Sequence, residues 1–212
     1  FFSDLHWDGG HPELGESLVS AVNGEAPDWI VFGGDLIRFL EDLPTAASLL
    51  ASLCATRGRY AVLGNRERAQ GGLSAAEWVR RYEKAGFRLL VNESVPMTSD
   101  ARLVGLDEPR HGQPRRSLLD GLDESSHATI VLSHTPDTVA RTGGRFPGDI
   151  VLAGHTHGGQ IRLPGIGPLY TSSAYGRQFD RGWFRHRSGA RMYVTAGTGT
   201  TGMRWLRRRI CC

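Results

Sequence analysis

Five short apolar runs in this chain each break off into glycine and into residues whose side chains carry carboxylate, amide or imidazole groups. That recurrence limits the fold more than any other feature. Phe1-Phe2 leads into Ser3-Asp4-Leu5-His6, Trp29–Phe32 into Gly33-Gly34-Asp35, and Tyr60–Leu63 into Gly64-Asn65-Arg66-Glu67. Thr129–Leu132 leads into Ser133-His134-Thr135-Pro136, and the run 149–153 into Gly154-His155-Thr156-His157-Gly158-Gly159-Gln160. Apolar runs of this length bounded by turn formers read as buried strands. His155 and His157 stand two apart, a spacing that lets both imidazoles point the same way off an extended backbone. The glycine pair after them leaves room for a ligand or another loop to approach the backbone.

The first ninety residues alternate these strands with helices. Residues 14–22 fit a helix that ends near Gly24 and Pro27. Pro44 opens a second through about Ala55, a favourable position for proline. Ser74 caps a third through about Ala85, with Glu77 at the capping-box position. Strand–helix alternation is the pattern of a parallel sheet covered by helices. Ligand sites of such sheets form beyond the carboxyl ends of the strands. From Arg88 the texture changes. Short runs at 89–91, 95–97 and 103–106 predict antiparallel strands, followed by a helix near 115–124 and a short one before the run at 149–153. The remainder reads as hairpins, with 182–187 and 190–196 paired.

At 212 residues the chain is expected to form one domain over 1–212. Its abrupt start at Phe1 and its stop after Cys212 read as truncation at both ends. Charge is unevenly spread: from Gln160 onward ten arginines stand against Asp180 alone, while the earlier residues are net acidic. That asymmetry fits a basic surface facing something anionic, or a solvated basic face. Cys54, Cys211 and Cys212 lack the number and spacing of a disulfide framework or a zinc site. No run is long enough for a transmembrane helix.

Taken alone, Asp4 reads as a turn residue, Asp35 as a helix cap and Asn65 as a left-handed turn former. Taken together, Asp4, His6, Asp35, Asn65, His134, His155 and His157 read as a metal site built from strand ends. The donors are oxygen and nitrogen without thiolate, which suits a divalent ion such as manganese, iron, cobalt, nickel, zinc or magnesium. So many donors suit two ions sharing a carboxylate. Two-ion centres, with ions roughly 3.5–4 Å apart, generate a hydroxide and clamp the oxygens of an in-line phosphoryl displacement.

The ordered set SDLH, GGDL, GNRE, SHTP and GHTH resembles the motif series of the calcineurin-like metallophosphoesterases, and it spans residues 3–157. GHTHGGQ, with NESVP at 92–96 and GLDEP at 105–109, is similar to a branch of membrane-linked bacterial phosphodiesterases. The resemblance implies a four-layer α/β fold, a two-sheet sandwich flanked by helices. It implies one metal held by Asp4, His6 and His157 and a second by Asn65, His134 and His155, with Asp35 bridging both. Manganese is expected first among the ions. The chemistry implied is attack on phosphorus by a hydroxide that bridges the ions, with Asp35, Asn65 and Arg66 as catalytic residues.

Arg66 departs from the family, most of which has histidine there. Arginine keeps its proton at ordinary pH and cannot act as a general acid. It can still grip phosphate oxygens bidentately. An enzyme so built should favour leaving groups that need no proton, such as the phosphate of a pyrophosphate. UDP-diacylglucosamine pyrophosphohydrolases of the superfamily are similar in having GNR at this point; against this stands a family variant with slower but similar chemistry. The expected partners are a phosphate-ester substrate, lipid-linked or nucleotide-linked, and an anionic membrane surface, reached peripherally or through an N-terminal segment upstream of Phe1, with the cytoplasmic face favoured, the chain a monomer and nucleic acid disfavoured. The tail 181–210 interleaves arginine with Trp183, Phe184, Met203, Trp205 and Leu206. Alternate core residues of a hairpin account for Trp183, Phe184 and Tyr193, ahead of a lipid surface and far ahead of nucleic acid. The alternatives to a diesterase are a phosphomonoesterase, a nuclease or a non-catalytic metal-binding scaffold.

Overall fold

The computed structural model describes residues 1–70, 72–122, 127–140, 146–159, 162–163, 165–187 and 189–199. Helix α1 (Pro12–Gly24) precedes strand β1 (Trp29–Phe32). A 3₁₀ turn at Leu40–Asp42 then runs into α2 (Leu43–Ala51), which leads to β2 (Gly58–Ala61). After β2 come α3 (Asn65–Ala69), α4 (Ala75–Lys84) and β3 (Arg88–Leu89). The three strands pair in parallel in the order β1-β2-β3. Phe2 adds one rung on the free side of β1: its N–H donates to the Val31 carbonyl and its carbonyl accepts from Gly33. Ser74 caps α4 as expected, accepting from the Glu77 N–H at 3.3 Å while its own N–H donates to the Glu77 carboxylate at 2.7 Å. Trp78 and Tyr82, one turn apart, are then on the same helix face and fully buried.

The second sheet is built from β4 (Glu93–Pro96), β5 (Ala101–Gly105), β6 (Ala128–Leu132), β7 (Ile150–Ala153), β10 (Gly182–Arg185) and β11 (Arg191–Val194). Helix α5 (Pro136–Ala140) lies between β6 and β7, and β8 (Arg162–Leu163) pairs antiparallel with β9 (Gly167–Pro168). The six-stranded order is β10-β11-β7-β6-β5-β4.

This corrects the expectation of antiparallel strands from Arg88 onward. The run at 89–91 begins as the last parallel strand of the first sheet, because α4 carries the chain back across that sheet. In the second sheet only β4–β5 and β10–β11 are antiparallel. Strands β5, β6, β7 and β11 run parallel, joined by crossovers too long for hairpin turns. The helix expected near 115–124 is a 3₁₀ turn, Arg116–Leu119; residues 123–126 lie outside those described.

Side chains alternate across the strands and sort the core into layers. Ile30 and Phe32 face the helices, packing with Leu18, Leu50, Trp78 and Tyr82. Val31 points the other way, into the layer between the sheets with Val62, Leu90, Val95, Leu103 and Leu132. Val104, Val131, Val151 and Met192 cover the outer face of the second sheet against Leu119, Phe146 and Phe179. Each such burial stabilises the fold by about 1.5–3 kcal/mol. The architecture is the predicted two-sheet α/β sandwich.

The expected hairpin near the C-terminus is β10–β11, but Trp183 is not core: it is 61% exposed. It stands on the edge strand, leaning on Tyr193 at 5.1 Å between ring centroids, with the Arg191 guanidinium over its ring. Tyr193 meets Phe1 at the rim of the narrower first sheet, so among the described residues nothing lies beyond to cover the indole. The basic stretch 202–210 lies outside the described residues. No described helix is long and apolar enough to cross a membrane.

Candidate metal centre

Because β1, β2, β6 and β7 are parallel within their sheets, their carboxyl ends emerge along one edge of the sandwich. The sheets are tied there by the His134 Nδ1, 2.8 Å from the Gly33 carbonyl. The chain then turns sharply. Seven non-glycine residues have left-handed φ among those described, and five are Asp4, His6, Asp35, His155 and His157, at 46° to 70°. Such backbone costs about 1–3 kcal/mol per residue and persists where surrounding contacts enforce it. His155 and His157 thus converge on the site through two left-handed turns rather than through strand alternation.

The side chains form two groups. Asp4, His6 and His157 make one, Asp35, His134 and His155 the other, with ligand atoms within 4.8 Å of one another in each. In the first, His6 Nε2 lies 3.0 Å from His157 Nε2, and Asp4 Oδ1 lies 3.6 Å from His157 Nε2. In the second, His134 Nε2 lies 3.1 Å from both His155 Nδ1 and Asn65 Oδ1, which adds the amide to the group. Asp35 stands between them. Its Oδ2 is 3.4 Å from His6 Nε2 and its Oδ1 is 3.5 Å from His134 Nε2.

These groups fit divalent cations. Carboxylate oxygens and imidazole nitrogens crowd together in each group, and Asp4 Oδ1 is buried without a hydrogen bond. Burial, then the charges of His157, Arg66, His134 and His155, holds His6 well below the usual histidine range. Burial, then His134 and Arg110, pushes His155 down to about 2. Both imidazoles are therefore neutral, the form a metal needs. Burial pushes the Asp35 carboxyl up to about 7; Glu67 and Asp4 add to that, and His134 opposes it. A cation against both oxygens would remove that penalty.

A supporting layer holds the ligands. Ser3 Oγ and the His155 N–H (2.9 Å) donate to Asp4 Oδ2, leaving Oδ1 for the site. The Gly33 carbonyl accepts from His134 Nδ1, so in the neutral ring Nε2 carries the lone pair facing inward. Glu67, fully buried, accepts from the backbone N–H groups of Asp35, Leu36 and Gly64 and so ties the Asp35 loop to the Asn65 loop. Sequence reasoning missed Glu67 as a site residue. Its position three residues after Gly64, at a helix start, was the available signal. A side chain at Gly64 would meet Asp35 Oδ1 at 2.1 Å, and one at Gly154 would meet Asp4 Oδ2 at 2.4 Å. Gly159 admits another loop: a Cβ there would strike Pro168.

Arg66 donates its backbone N–H to Asp35 Oδ1 at 2.8 Å, while its side chain is exposed and its charge bears on His6. The NESVP and GLDEP motifs serve the frame. Asn92 Oδ1 accepts from the N–H groups of Asp107 and Arg115, and Asp107 takes the Arg68 guanidinium of α3 bidentately at 2.9 and 2.6 Å.

Residues 1–159 match the family model described as calcineurin-like phosphoesterase. The phosphodiesterase YaeI of Escherichia coli is 30% identical over 175 residues, covering 79% of this chain and 63% of that protein. The UDP-2,3-diacylglucosamine pyrophosphatase LpxG of Chlamydia trachomatis is 26% identical over 267 residues, covering 99% and 78%. The chain spans from half to about three quarters of the length of the first curated relatives it matches. The fold is similar to that of the phosphopantetheinyl hydrolase PptH of Mycobacterium tuberculosis, with TM-score 0.55 at 14% identity, covering 93% of this chain and 88% of that one.

Proposed function

This chain belongs to the calcineurin-like phosphoesterase family, and from that premise we propose that it is a two-metal phosphodiesterase or pyrophosphohydrolase. The observation that carries the reading is Asp35, with one carboxylate oxygen turned to each ligand group. Asp4, His6 and His157 would hold one ion, Asn65, His134 and His155 the other, and Asp35 both, with manganese the first candidate. Bound there, two divalent ions would supply a hydroxide nucleophile at neutral pH and offset charge on the phosphoryl oxygens. The chain's own part is to orient and to bind. Ser3, Gly33 and Glu67 hold Asp4, His134 and the Asp35 loop in place, and the Arg66 guanidinium grips the phosphate.

The names of the YaeI and LpxG relatives support a diester or pyrophosphate linkage as the one cleaved. Arg66 supports it too, since it offers no proton to a leaving group. With manganese supplied, the wild type should hydrolyse an aryl phosphodiester and a nucleoside-diphosphate sugar, and favour both over alkyl esters. Arg66→His should shift the ratio of rates toward alkyl leaving groups by about tenfold, within the range of general-acid assistance. An unchanged ratio would remove Arg66 from the account, and absence of hydrolysis of every ester would favour the scaffold reading.

A peripheral position on an anionic membrane is part of the proposal. Leu163, Ile166, Leu169 and Tyr170, on and beside the β8–β9 hairpin, stand exposed, and Arg177 reaches the Ile166 carbonyl. Apolar side chains beside arginine suit the headgroup boundary of a bilayer. Sedimentation with vesicles should require phosphatidylglycerol and weaken with salt. Binding that ignores lipid charge, or no binding, would contradict it.

A further inference from the structure

Beside the second ligand group opens a cavity of about 380 Å³, and none of the seven donors lines it. Two residues of its wall link it to the centre. Thr135, in its wall, follows His134 in the chain, and the charge of Arg110, also in the wall, bears on His155. Arg110 donates to the Ser172 carbonyl at 2.5 Å, which joins the loop after β5 to the loop after β9 and forms the rim. Arg116 lines the same space.

Three features describe what would fill it. Among the described residues neither Arg110 nor Arg116 forms an ion pair with a carboxylate, and both stand at the exposed rim of the cavity. Thr138, 1% exposed, lines it with a hydroxyl that makes no hydrogen bond. The carboxylate in the wall, Asp137, is already committed, accepting from Ser173 Oγ at 2.5 Å and the Ala174 N–H at 2.7 Å. The Arg116 guanidinium, the remaining N–H groups of Arg110 and the unpartnered Thr138 hydroxyl suit an anion with several oxygens.

We propose that this cavity seats a second phosphate of the substrate, adjoining the one attacked, so that the preferred substrates are pyrophosphate-linked. The inference rests on the phosphoesterase reading and narrows its substrate class. In the step it implies, a water-derived hydroxide oxygen forms the new bond to phosphorus. The bridging P–O bond breaks with its electron pair going to the second phosphate, and the remaining water proton goes to solvent. The charge that develops on the departing phosphate lies against Arg110 and Arg116 and needs no proton.

Two measurements test this. In the manganese-loaded protein, Arg116→Met should lower kcat/KM for a nucleoside-diphosphate sugar at least tenfold more than for bis(4-nitrophenyl) phosphate. An equal loss on both, or none, would overturn the assignment. In metal-stripped protein, inorganic pyrophosphate should show phosphorus NMR line broadening that Arg110→Met/Arg116→Met abolishes. Broadening that is absent, or survives in the double variant, would overturn it as well. Because the second measurement needs no turnover, its outcome is separate from that of the phosphoesterase reading.

Discussion

Replacing Asp35 by asparagine should lower manganese-dependent hydrolysis of an aryl phosphodiester by about a thousandfold, a barrier increase of about 4 kcal/mol. Each Asp35 oxygen faces a different ligand group, and no other described side chain does so. Asparagine keeps the shape and one acceptor oxygen but removes the negative charge and turns a donor toward one of the two groups. His6 and His134 would face an N–H₂ where one of them now faces oxygen. The fold should survive, because burial already favours the uncharged form of this carboxyl. Thermal unfolding of the metal-free variant should therefore occur at or above the wild-type temperature. Wild-type turnover by Asp35→Asn would remove the shared carboxylate from the mechanism.

Glu67→Ala is the larger structural lesion. One carboxylate with no exposed surface satisfies three buried N–H groups, on Asp35, Leu36 and Gly64. An orphaned buried donor costs about 1–3 kcal/mol, so three should lower stability by at least about 3 kcal/mol. The loops that carry Asp35 and Asn65 would also lose their tie, so metal affinity should fall even in protein that remains folded. Glu67→Gln, which keeps one acceptor oxygen, should lose less of both. Chemical denaturation of the two variants, with manganese binding measured beside it, checks the order. Equal stability of Glu67→Ala and wild type would contradict the role given to the carboxylate.

Much of this was legible in the chain because strand ends write themselves locally. An apolar run that stops at Gly-Gly-Asp or Gly-His-Thr-His carries both its burial and its ligand type. What was not legible is long-range or conformational. Nothing in Val104 or Val131 encodes that β5 and β6 run parallel, since side-chain alternation is the same in either direction. Left-handed φ at His155 and His157 belongs to residues that seldom adopt it, and only the folded loops enforce it. Glu67 reads locally as the cap of a short helix; that it also serves Asp35 and Leu36 depends on β1 and β2 lying side by side. Trp183 alternates like a core residue, but it stands on the edge strand of a six-stranded sheet facing a three-stranded one, and among the described residues it stays exposed.

The mechanism depends on two ions held through one shared carboxylate. It is tested most directly by titrating chelator-stripped protein with manganese in a calorimeter and confirming bound metal by elemental analysis. The wild type should bind two ions per chain and Asp35→Asn fewer than two at the same free manganese. A single ion per chain, or two ions bound equally well without the Asp35 carboxylate, would contradict it.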